Sequence, residues 1–159
     1  MSIVLHGVAA GKGIAIGRAH LLVRGMDEVP QYDIAEQEIA SEVQRFHAAI
    51  AATRAALENI GNTIPEHAPT EFGAFISLHL MLLADPTLAS EPADIIREQK
   101  INAEWALKIQ TDKLVQQFDQ ISDDYLRQRK QDLLQVVERI HNQLIGQNEL
   151  DLDVDLWED

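Results

Sequence analysis

Apolar residues along this chain change their period near Pro30. Before it, Ile3-Val4-Leu5 and His20-Leu21-Leu22-Val23 are short apolar runs that read as strands. Between them, the glycines of the stretch Gly7 to Gly17 break any helix and permit turns or close backbone approach. After Pro30 the pattern is helical. Asp33 and Glu36 have the spacing of an N-cap and its reciprocal partner. Ile39, Val43, Phe46, Ile50, Leu57 and Ile60 then recur at steps of about four and three, with Thr53 in the remaining slot. That is one apolar stripe on a long helix, and Gly61 and Pro65 are its stop signals.

A second helix is predicted from Thr70 to about Ala84. Phe72, Phe75, Ile76, His79, Leu80 and Leu83 share one face, while Leu78, Met81 and Leu82 occupy much of the rest. The helix is apolar over more of its girth than one buried face needs, so it sits deep in a bundle or offers a second face to a partner. Asp85-Pro86 should break the chain, because the residue before proline avoids the helical region. A short helix follows from about Ser90 to Lys100. Asn102 is the expected cap of another, with Leu107, Leu114, Phe118 and Ile121 on one side. Ser122 is the expected cap of the last, whose stripe is Leu126, Leu133, Val136, Val137, Ile140 and Leu144, ended by Gly146. The predicted fold is mainly α, a bundle of about four main helices with a short β-like N-terminal segment. The segments are 1–30, 31–146 and an acidic tail 147–159 whose alternation resembles a strand or linker; a domain rarely ends so, and more chain is expected to follow.

Charge narrows the partners. A net charge of −13 is repelled by nucleic acid and by anionic membranes, and its natural complement is a basic protein, although charge alone also serves solubility. The chain has no cysteine, hence no disulfide and no thiolate metal site, which fits a cytoplasmic protein. It has no run of eighteen apolar residues, and its first residues lack the pattern of a signal peptide.

The candidate chemical motifs fail on inspection. Gly7 to Gly11-Lys12 is one residue short of a phosphate loop, and Gly13 stands where a Mg²⁺-binding hydroxyl belongs. Asp151, Asp153 and Asp155 alternate like the start of an EF-hand loop, but Leu156 replaces its glycine. Glu138 and His141 have di-iron spacing in a single copy, so surface positions are expected for them. None of the six histidines fits a zinc pattern. His79 falls on an apolar face and is expected to be a hydrogen-bonded core residue. No catalytic residue and no metal site is predicted.

Three stretches carry a resemblance. Gly7 to Ala19 is similar to Gly-x-Ala-Ala/Ser-x-Gly-Ile-Ala-x-Gly; Phe75 to Leu88 to Phe-x-x-His-x-Met-Leu-Leu-x-Asp-x-x-Leu; Asp123 to Asp132 to Asp-Asp-Glu-Tyr-Leu-x-Glu-Arg-x-x-Asp. In this order they resemble enzyme I of the phosphoenolpyruvate-dependent sugar phosphotransferase system, from Ile3 to Gly146. The resemblance implies a helical domain of two helical hairpins, inserted into an α/β phosphohistidine domain of which residues 1–30 are the first part. The family's phosphorylated histidine lies in Gly-Gly-x-x-Ser/Thr-His, and no histidine here has that context. This stretch is therefore expected neither to autophosphorylate nor to need a cofactor. Mg²⁺, a phosphoenolpyruvate-binding barrel and homodimerisation belong, by the resemblance, to the missing C-terminal part of the parent enzyme. What remains is docking of the phosphocarrier protein HPr. The matching positions are Glu71, Ala74, Met81, Leu82, Asp85 and Leu88, then Phe118, Leu126 and Arg129. The alternative readings are a nitrogen-regulation or multidomain relative, and a stand-alone helical interaction module. Departures at Thr70, Ser77 and Thr87, where some relatives have carboxylates, would weaken attraction to a basic partner. Phe118 in place of leucine would reshape the groove, and Gln128 replaces the family's glutamate.

Overall fold

A computed structural model describes residues 29–120 and 123–146, without the side chains of 124, 126 and 127. The two N-terminal strands, the glycine stretch, Ile121, Ser122 and the acidic tail lie outside the described residues.

The chain enters the bundle extended. Asp33 pairs with Ile101 in an isolated antiparallel bridge, and the Ile34 amide donates to the Lys100 carbonyl at 2.9 Å. That pairing takes Asp33 away from its expected capping role. Ala35, extended at φ −71° and ψ 154°, holds the cap position instead, and Glu38 reaches back to accept from its amide at 2.8 Å. A 3₁₀ turn, Glu36–Glu38, leads into α1, Ile39–Thr63.

The stripe of α1 is buried at Val43, Phe46, Ile50, Thr53 and Leu57, and Ile39 packs on its margin. Thr53 is tolerated there because its hydroxyl donates to the Ala49 carbonyl at 2.8 Å. Ile60, expected in the stripe, is exposed. The helix passes through Gly61 and ends before an extended Ile64 and then Pro65.

Helix α2 spans Thr70–Ala84, the predicted range. Asp85 is extended, ends α2 and caps α3, Pro86–Ala89; its carboxylate accepts from the Thr87 amide at 2.9 Å and hydroxyl at 2.6 Å. Helix α4, Glu91–Gln99, stops at Lys100, which adopts the left-handed conformation at φ 52°. Asn102 precedes α5, Ala103–Asp119, but its side chain does not cap that helix. It is drawn instead to Pro30, Tyr32 and Glu104, and Glu42 of α1 accepts from the Ala103 amide at 2.7 Å. Helix α6, Asp124–Leu144, is capped by Asp123, which accepts from the Tyr125 amide at 2.7 Å; Ser122 had been expected there.

Two hairpins, α1 with α2 and α5 with α6, pack through α1 against α6, while α3 and α4 close the bundle against α1 and α5. Phe46, Leu57, Leu83, Leu88, Ile96, Leu107 and Ile140 are fully buried at the centre. Each contributes on the order of 1.5–3 kcal/mol by leaving water. His141, expected at the surface, is buried on the inner side of α6, and its Nε2 has no hydrogen-bond partner.

One polar cluster sits where α1 and α5 begin and α6 finishes. Arg45 donates to both oxygens of Glu42 and both of Glu104, and to the Leu144 carbonyl at 3.1 Å. Asn102 donates to Glu104 at 2.9 Å and to the Pro30 carbonyl at 2.8 Å, and accepts from the Tyr32 amide at 3.1 Å. The hydrogen bonds that Arg45 donates to Glu104 and Glu42 hold its guanidinium more firmly protonated than usual. Burial alone would raise the Glu104 carboxyl, but the bonds from Arg45 and Asn102 outweigh it and hold it below its ordinary value.

Candidate docking surface

The two sides of α2 differ. Ile76, His79 and Leu83 are buried, with Leu80 against the core beside them. On the other side, Glu71, Ala74, Phe75, Met81 and Asp85 are exposed, and Leu78 and Leu82 are half-buried between them. Steps of three, four and one place these residues on one broad helical face. The face is apolar along its middle, with a carboxylate near each end. Met81 is 60% exposed, Phe72 59% and Phe75 37%.

Phe72 and Phe75 correct the sequence expectation, which placed them with the core. Phe72 lies on the side of Ile76, His79 and Leu83 but in the first turn of α2, and Phe75 lies at the margin of that side. Here α1 and α6 cover the side of Ile76, His79 and Leu83. The Phe75 ring lies 4.0 Å from the His79 ring, centre to centre, so one of its sides is covered. His79 is fully buried, but neither ring nitrogen has a hydrogen-bond partner, contrary to expectation. Burial pushes its pKa below the usual imidazole value; Arg139 lowers it further and Asp132 partly opposes them.

The remaining residues singled out from sequence fall into different settings. Leu88 is 0% exposed and faces the core, so it anchors α3 from within and presents nothing to a partner. Leu82 and Phe118 are half-buried against the core. The Leu126 side chain lies outside the described residues. Arg129 is half-buried on α6, with its Nε and Nη2 donating to the Tyr125 hydroxyl at 3.1 and 2.7 Å. Asp85 carries a depressed pKa, because the Thr87 hydroxyl and amide donate to its carboxylate. Sequence reasoning missed Phe72, Phe75 and Tyr125, the last 61% exposed. For Tyr125 a signal existed: it stands four residues before Arg129, where side chains meet on a helix.

Among the described residues, no group of three or more histidine, cysteine or acidic side chains could hold a metal ion. No single described helix is long and apolar enough to cross a membrane, and α2 turns by 61° into the α3–α4 segment.

The architecture is that of an all-α domain whose second helix leaves part of its apolar surface uncovered. The chain belongs to the family described as PEP-utilising enzyme, N-terminal, whose model matches residues 6–129. It is 47% identical over 146 residues to the phosphoenolpyruvate-protein phosphotransferase of Cupriavidus necator, covering 92% of this chain and 25% of that protein. It is 34% identical over 146 residues to the protein of the same description from Bacillus subtilis, covering 89% and 25%. The chain thus spans about a quarter of the length of these relatives. Among solved structures, it is similar to an NMR solution structure of Enzyme I, with a TM-score of 0.69 and 25% identity over 75% of this chain and 48% of that one.

Proposed function

We propose that this chain is the HPr-docking part of an enzyme I, the phosphotransferase that passes phosphate from phosphoenolpyruvate to HPr for sugar uptake. The observation that carries the reading is the outer face of α2, where Ala74, Phe75 and Met81 remain exposed between Glu71 and Asp85. An apolar centre flanked by charge is the usual composition of a binding hot spot and its rim. Arg129 and the half-buried Leu82 and Phe118 extend it, and Leu88 supports it from below. The net charge of −13 favours a basic partner. The role is docking alone, because no histidine here lies in a Gly-Gly-x-x-Ser/Thr-His context.

The test is a titration of the isotope-labelled chain with its cognate HPr, followed by amide NMR at two salt concentrations. Salt-sensitive shifts confined to 71–88 and 118–129 are expected. Unchanged spectra at millimolar HPr would overturn the reading.

A further inference from the structure

Arg129 is held in place before any partner arrives. Two of its donors, Nε–H and one on Nη2, go to the Tyr125 hydroxyl at 3.1 and 2.7 Å, and its guanidinium carbon lies 5.1 Å from the centre of that ring. A guanidinium carries five N–H donors, so three remain for an acceptor elsewhere. Tyr125 is itself fixed at the start of α6, where its amide is the donor to the Asp123 cap at 2.7 Å. The next turn of α6 is tied to α5 through Lys130 and Asp119, at 2.5 Å. Yet the tyrosine is mostly exposed, so burial in the core does not account for it. A free arginine would lose rotamer freedom on meeting a partner; one already bonded and stacked loses less.

We propose that Tyr125 is the positioning residue of the docking face, holding Arg129 in the orientation in which its remaining donors meet an acceptor on HPr. This rests on the docking reading above. The tyrosine hydroxyl acts through the arginine and makes no contact with the partner, which sets it apart from the contact residues of α2.

The test is a double-mutant cycle on the full chain, with HPr affinity and thermal stability both measured. Tyr125→Phe keeps the ring and removes the acceptor. It is expected to weaken HPr binding about three- to tenfold with an unchanged melting temperature. In an Arg129→Met background, the same change is expected to have no further effect on affinity. Unchanged affinity in the single variant would overturn the proposal. So would an equal loss in both backgrounds, because the hydroxyl would then touch the partner directly. If the unaltered chain fails to bind HPr, the docking reading itself falls, a result distinct from the other two.

Discussion

The Arg45 cluster and the outer face of α2 are opposite solutions to the same problem of what to do with a surface. At the cluster, the guanidinium and two carboxylates are almost entirely used up: Arg45, Glu42, Glu104 and Asn102 bond to one another and to the backbone at Pro30, Tyr32, Ala103 and Leu144. Along α2, apolar area that would stabilise the fold if covered is left open to water. A chain with marginal stability keeps an open apolar face at some cost, and function is the usual reason. The contrast separates residues that make the fold from residues that use it.

Variants can break that separation, beginning with the core. Leu83→Ala, on the buried side of α2, should lose about 2–5 kcal/mol in urea unfolding, because it leaves a cavity as well as losing transfer energy. Arg45→Met should lose about 2–3 kcal/mol, less than a fully buried pair because Arg45 is partly exposed, since it leaves Glu104 buried without its cation. A loss under about 0.5 kcal/mol would mean that the cluster is ornamental. Met81→Ala should do the reverse: stability within about 0.5 kcal/mol of the parent, but HPr affinity reduced about tenfold, as read by calorimetry. A large loss of stability with unchanged affinity would move Met81 to the core side of the comparison.

The smallest effect concerns pH. Burial holds the pKa of His79 and of His141 below the ordinary value of 6.5, although Glu104 and Glu138 partly counter it at His141. The unfolded chain therefore takes up protons first as pH falls. Stability is full above the unfolded value and declines as pH drops below it towards the folded values. Denaturation midpoints at pH 7.5 and 5.5 should differ in that direction, above the range where Glu104 and Asp85 titrate. His79→Gln should reduce the difference, and an unchanged difference would exclude His79 as a source.

Much of the fold was legible because local signals and tertiary needs agreed. The end of α2 follows from Asp85-Pro86, and the stripe of α6 from Leu133 to Leu144 is buried as its spacing predicts. Legibility failed where distant partners claimed a side chain. Asp33 and Asn102 are good capping residues by type, but Ile101 pairs with the first, and Pro30, Tyr32 and Glu104 take the second. The first amide of α5, that of Ala103, is served by Glu42, 61 residues away. On α2 the covered side was legible at Ile76, His79 and Leu83, and misread at Phe72 and Phe75, because periodicity gives a side and not how far along the helix, or how far round its margin, the neighbours reach.

The Arg45 cluster also has a mechanical consequence. It gathers the backbone at Pro30–Tyr32 and at Leu144 onto one point near the start of α1, so the two ends of the described bundle are fastened at one place. Because the same few hydrogen bonds fasten these two segments to each other and to α1 and α5, a pull on either segment would be borne by that one cluster.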